Sequence, residues 1–166
     1  MKKTQATKGY SLIELLVYLS IFSILCLVII KSLVTSMTVY SQSQSYRKIQ
    51  AQGELVMERM TRELRQATSV TGGNFDANPG SITLAGKDLS GNPDTVAFSV
   101  VNNQVQISVN GVNSTLTGGQ VASNSLIFRK VTTSNGSAVK VELQLQTVTG
   151  YKITVPFNTT VLLRGK

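Results

Sequence analysis

Gly9-Tyr10-Ser11-Leu12-Ile13-Glu14-Leu15-Leu16-Val17-Tyr18-Leu19-Ser20-Ile21-Phe22-Ser23-Ile24-Leu25-Cys26-Leu27-Val28-Ile29-Ile30-Lys31 is the stretch that sets the architecture of this chain. From Leu15 to Ile30 no residue is charged, and only Ser20 and Ser23 break the apolar run. Wound as a helix, Tyr10–Ile30 is about 31 Å long, which matches a hydrocarbon core of about 30 Å. Lys2, Lys3 and Lys8 precede it with no acidic residue among them; Lys31 follows it, and the next charge is Arg47. The cationic excess on the N-terminal side predicts a single-pass segment in the cytoplasmic membrane, its N-terminus cytoplasmic and the remainder outside.

Glu14 narrows the reading. A secretory signal peptide has a shorter apolar region, of about 7–15 residues, and a small-residue cleavage site. Val28-Ile29-Ile30-Lys31 offers no such site. An uncut signal anchor accounts for the apolar run and the lysines, but not for a carboxylate at the edge of the span. Such a group costs about 2–3 kcal/mol or more unless it is paired. If the chain is cut between Gly9 and Tyr10, Tyr10 acquires an α-amine that stays mostly cationic at neutral pH, its pKa being about 8. A helix N-terminus also favours a nearby carboxylate. Glu14 then has a partner in the Tyr10 amine of an adjacent subunit, and the pair fixes the axial register between them.

A basic leader ending in Gly9, an aromatic residue, a hydroxyl residue, Leu12-Ile13-Glu14 and a long apolar helix together resemble the start of type IV pilin-like proteins. Tyr10 stands where that family more often has Phe, and Ser11 where Thr is common. The resemblance implies cleavage after Gly9 by a prepilin peptidase and N-methylation of Tyr10. It also implies partners, namely other pilin or pseudopilin subunits met through the N-terminal helix. Glu58-Arg59-Met60-Thr61-Arg62-Glu63-Leu64-Arg65-Gln66-Ala67 resembles, more loosely, the stem-to-head junction of J-type minor pseudopilins and W-type minor pilins. Major pilins usually carry a proline in the stem; here Lys31 occupies that position and the first proline is Pro79. The role implied is a minor structural subunit, at the tip or initiating assembly, of a type IV pilus or a type II secretion pseudopilus. It would pass from the membrane into an extracellular or periplasmic filament. The alternatives are a competence filament subunit with a DNA-binding head, and an uncut envelope anchor.

Between Gly9 and Gly72 the only glycine is Gly53, so one helix is expected over Ser11–Thr68, ended by Gly72-Gly73. Ile49, Gly53, Val56, Met60, Leu64 and Ala67 recur at helical spacing and predict a buried stripe. Glu58 and Arg62 are placed for an i, i+4 pair. Thr35–Ser45, rich in Ser, Thr and Gln, is the weak part of the helix. Beyond Asn74 the composition turns to Val, Thr, Ser, Asn and Gly. Strands are expected at Ser81–Leu84, Thr95–Val101, Gln104–Val109, Leu126–Thr132 and Val139–Thr147, with a last one near Lys152–Val155 or Phe157–Leu163. Asn102-Asn103, Asn110-Gly111 and Ser134-Asn135-Gly136-Ser137 read as turns. The fold class is therefore α+β, with a leader at 1–9, an apolar helix at 10–31, an amphipathic stem at 32–73 and an antiparallel β head at 74–166, as one sheet or two small ones.

The chain has no histidine and one cysteine, Cys26, which lies inside the apolar run. The commonest general base and metal ligand are thus missing, and no intrachain disulfide can form. No catalytic constellation appears, so no enzyme activity, cofactor or metal is expected. Asn74-Phe75-Asp76-Ala77-Asn78 alternates oxygen side chains, but its glycine is misplaced for an EF-hand and Ala85 stands where the bidentate Glu belongs; it reads as a polar turn. Sequons occur at Asn113, Asn135 and Asn158. Of the +8 net charge, Lys2, Lys3 and Lys8 contribute three, leaving a mildly basic remainder. Arg129, Lys130, Lys140, Lys152 and Arg164 are the candidates for a DNA-binding patch, without the interleaved aromatics of a stacking groove.

Overall fold

In a computed structural model, residues 11–87, 91–133 and 136–163 are described. One α-helix, α1 (Leu12–Gln66), is followed among these residues by eight strands. They are β1 (Ser69–Asn74), β2 (Ser81–Lys87), β3 (Pro93–Val101), β4 (Gln104–Val109), β5 (Val112–Thr115), β6 (Val121–Thr133), β7 (Gly136–Thr147) and β8 (Thr154–Leu162). The strands form two antiparallel sheets, β1-β2-β3-β4-β5 and β6-β7-β8, so the architecture is α+β. The chain divides into two compact units, Met1–Tyr40 and Ser41–Lys166.

In the first unit the helix buries none of its most apolar 18-residue window, and that window is long and apolar enough to cross a membrane. Helical order continues without interruption through the Ser/Thr/Gln-rich stretch Thr35–Ser45. Several hydroxyls bond to the helix's own carbonyls. Ser20 Oγ donates to Val17 O and Ser23 Oγ to Leu19 O, both at 2.8 Å. Thr35 Oγ1 donates to Lys31 O at 2.9 Å and Thr38 Oγ1 to Val34 O at 3.0 Å. These bonds satisfy the polar side chains without outside partners.

The second unit holds the hydrophobic core. The expected stripe is realised in full: Ile49, Gly53, Val56, Met60 and Leu64 are the buried face of α1, joined by Ser45, and Ala67 is buried just beyond it. From the sheets come Ile82, Leu84, Phe98, Val105 and Ile107 on one side and Leu126, Phe128, Val139, Val141, Leu143 and Leu145 on the other. Alternation along β7 thus works as the period-2 pattern requires. Gly53 has a specific job, because a Cβ there would overlap the ring of Phe157, which packs against the core from β8. Gly53→Ala gains about 1 kcal/mol of helix propensity. Overpacking by the added methyl is expected to outweigh that gain and to lower stability by about 1–2 kcal/mol net. Denaturant melts of the fragment Ser41–Lys166 test this, and a stabilised variant would show that the ring yields freely.

Several details differ from the sequence reading. Gly72-Gly73 does not end the helix. α1 stops at Gln66, Thr68 N–H donates to Ala85 O at 2.8 Å, and the glycines lie in β1, where the register against β2 slips between Val70 and Gly72. β-branched Thr68 and Val70 and pairing with β2 decide the local structure ahead of the glycines. The ion pair on the helix is Arg59–Glu63 at 3.0 Å, with Arg62 3.9 Å from the same carboxylate, rather than Glu58–Arg62. Glu63 lies closer to the packed surface, with its side chain 11% exposed, so it gathers both guanidinium groups. The two alternatives for the last strand merge into β8, which runs through Pro156. Asn102-Asn103 and Asn110-Gly111 are turns with positive φ at all four positions (52°, 60°, 51° and 85°), as two-residue hairpins require. β6 and β7 pair down to Thr133 opposite Gly136, and Ser134 and Asn135 lie outside the described residues.

A small polar network ties the β1–β2 loop to the second sheet. Arg129 reaches Asp76 Oδ1 through Nη1 at 3.0 Å and Glu142 Oε2 through Nε at 3.3 Å, while Lys140 Nζ lies 2.7 Å from Glu142 Oε1. The Lys140 hydrogen bond chiefly, with help from Arg129 and some opposition from burial, holds the Glu142 carboxyl below its ordinary value of 4.5. A carboxyl lowered in the folded state adds stability above its unfolded pKa, and loses that contribution as pH falls through the folded value. Glu142→Gln is therefore expected to lower the melting temperature of Ser41–Lys166 at pH 7, the difference from wild type shrinking as pH drops well below 4.5. An equal difference at pH 7 and in strong acid would remove the charge from the explanation.

Candidate functional site

The first turn of α1 carries the site that the sequence singled out. Gly9 and Tyr10, the expected cleavage and methylation positions, lie outside the described residues, as do Lys2, Lys3 and Lys8. Ser11 precedes the first helical residue, and its carbonyl accepts from Glu14 N–H at 3.0 Å and Leu15 N–H at 3.2 Å. Ser11-Leu12-Ile13-Glu14 has the spacing of a capping box, so the same residues that carry the motif also start a helix well. Glu14, in the first turn, lies at the end where the helix dipole favours a negative group.

Tyr18 is the residue that the sequence reading missed. Its O–H donates to Glu14 Oε1 at 3.3 Å, one turn further along the helix. The i, i+4 spacing of an acid and a phenol was the available signal. One oxygen of the carboxylate is thereby engaged within the chain, which eases the burden of a charge beside apolar neighbours. Around the pair, Leu12, Ile13, Leu15, Leu16, Val17 and Leu19 are all exposed. A helix apolar on every side needs an apolar surrounding, of lipid or of protein.

The other candidates are arranged differently from what a ligand site requires. In the Asn74–Asn78 turn, Asp76 is bound by Arg129, and Asn78 Oδ1 accepts from Leu126 N–H at 3.3 Å. The turn also donates from Asp76 N–H to Phe128 O and from Gly80 N–H to Leu126 O, at 2.9 and 2.7 Å, so it covers the free edge of β6. Among the described residues no cluster of three or more acids or thiols has the arrangement of a metal site. Of the candidate basic patch, Arg129 and Lys140 share the Glu142 carboxylate, while Lys130, one residue on from Arg129, falls on the opposite face of the sheet. Arg164 lies outside the described residues. Of the sequons, Asn113 and Asn158 are exposed on β5 and β8, and Asn135 is outside the described residues.

No curated protein and no solved structure matches the chain. Residues 5–30, by contrast, match the family model described as the prokaryotic N-terminal methylation motif. That match takes in Gly9, Tyr10, Glu14 and the apolar run up to Ile30 together, and the chain carries the type IV pilin-like signature there.

Proposed function

We propose that this chain is a minor structural subunit, at the tip or in the initiating complex, of a type IV pilus or a type II secretion pseudopilus. The observation that carries the reading is the methylation motif running directly into an unburied apolar helix with Glu14 in its first turn. In this reading a prepilin peptidase cuts after Gly9, Tyr10 is N-methylated, and Glu14 pairs with the Tyr10 amine of a neighbouring subunit. The precursor sits in the cytoplasmic membrane with its N-terminus inside, and residues 74–166 form the exported head. A minor role is supported by Lys31, exposed at the far end of the apolar run. One such ammonium reaches a membrane surface on its flexible stem. Repeated in every subunit of an apolar filament core, it would accumulate a desolvation cost.

The test has two readouts. Intact mass from the native host is expected to show loss of Met1–Gly9 and gain of one methyl, both blocked by Gly9→Val. Quantitative mass spectrometry of sheared filaments is expected to find the chain rare, and its deletion is expected to abolish filaments. An uncut chain in a host with active peptidase overturns the filament reading. A chain that is the most abundant component overturns the minor role alone.

A further inference from the structure

We infer that the free edge of β8, with the groove between it and α1, is a docking site for an extended, carboxylate-bearing segment of a different filament subunit. This rests on the subunit reading above and adds a partner surface on the head.

The two edges of the β6-β7-β8 sheet are treated unequally. β6 is closed by main-chain and amide bonds from the Asp76–Gly80 turn. Among the described residues β8 pairs only with β7. Leu163 N–H donates to Ser137 O at 2.9 Å, so odd-numbered residues here turn their main-chain groups inward to β7. Even-numbered ones, including Pro156, Asn158 and Thr160, turn theirs outward, because successive residues of a strand alternate. Pro156 has no N–H to offer, which blunts the first half of the edge, as proline does at natural sheet edges. Asn158 and Thr160 retain full donor–acceptor pairs, and the unblunted half is the half that borders the groove.

The groove is an open one of about 550 Å³. Met57 and Phe157 give it an apolar floor, and Glu58, Arg62 and Arg65 bring one negative and two positive charges to its walls. The two arginines are not equally engaged. Arg62 lies 3.9 Å from Glu63, which Arg59 already holds at 3.0 Å, and Arg65 has no ion pair among the described residues. A strand added beside β8 would lie about 4.8 Å from it. Its side chains on the α1 side would descend into the groove, where an aliphatic stem meets Met57 and Phe157 and a terminal carboxylate meets the guanidinium groups. Main-chain pairing then supplies affinity and the groove supplies selection, as in other strand additions. The occupant is not a second copy of this chain. From Ser41 to Lys166 there are twelve basic against seven acidic residues, so two such heads repel one another, whereas an acidic partner is steered in.

The test uses the full chain in its native host. Thr160→Pro removes one outward N–H, in the manner of the native Pro156. Arg62→Glu with Arg65→Glu reverses the groove while leaving the edge intact; all three positions are exposed. Each variant is expected to keep wild-type cellular level and leader cleavage, yet to fall about tenfold or more in filament incorporation, Thr160→Pro through lost main-chain pairing and the arginine reversal through a lost charge pair. A photo-crosslinking residue at Asn158 is expected to trap another subunit with an excess of acidic residues. Either variant at wild-type incorporation, or a crosslink only to a second copy of this chain, overturns the docking edge and leaves the subunit reading standing. A wild-type chain missing from filaments overturns both.

Discussion

Glu14→Val is expected to leave membrane insertion intact or improved and to reduce incorporation into filaments severely. The two effects have opposite signs because the carboxylate does different things in the two settings. In the bilayer it is a burden of about 2–3 kcal/mol, relieved in part by the Tyr18 hydroxyl, so removing it helps the span. In the assembled state it is the proposed partner of a neighbour's Tyr10 amine. Losing one half of such a pair strands the other charge, at about 2–5 kcal/mol, or roughly thirtyfold and more in the incorporation equilibrium. The quantity to measure is the ratio of filament-bound to membrane-bound chain. Tyr18→Phe serves as the internal check, since its effect should appear with Glu14 present and vanish in the Glu14→Val background. Incorporation of Glu14→Val at the wild-type ratio would remove the register pair from the account.

Leu64→Ala is the largest expected change in stability. Leu64 is fully buried in the stripe of α1 and shares the core with residues of both sheets. Truncation removes its transfer free energy and leaves a cavity, for a loss of about 2–5 kcal/mol. A domain of this size has only about 5–15 kcal/mol in total, so the fragment Ser41–Lys166 should melt many degrees lower. Leu55→Ala is the control, on the same helix but 58% exposed; surface changes of that kind stay within about 0.5 kcal/mol. Equal melting of the two variants would mean that the helix does not depend on the sheets.

The helix and its buried face were legible because both rest on a single periodicity. Ile49 to Ala67 recur every three or four residues, and no proline interrupts them. The Asn-rich turns were legible for a different reason, because few residues accept positive φ. What escaped was settled by pairing rather than by local preference. β1 contains Gly72-Gly73, which reads as a stop, yet β2 supplies it with partners from Ser81 to Ala85. β5 is four exposed residues, Val-Asn-Ser-Thr, with no apolar alternation to mark it. Pro156 divided a strand on paper that an outward-facing imide leaves whole in space. At the N-terminus the motif residues were plain, but the Glu14–Tyr18 bond is a matter of side-chain direction.

The self-bonded hydroxyls of α1 bear on how such a helix moves between surroundings. Ser20, Ser23, Thr35 and Thr38 each satisfy their hydrogen on a carbonyl three or four residues back. None of these groups then needs water in one setting and a foreign acceptor in the next. Shifting the segment from fluid lipid into a packed protein bundle exchanges one hydrocarbon neighbourhood for another, with its own hydrogen-bond inventory unchanged. In the proposed filament role, the driving force for extraction would then come from shape fit and from the few charges at its ends. With these hydroxyls satisfied from within, the polar demand of the segment falls on Glu14 and Lys31 at its two ends.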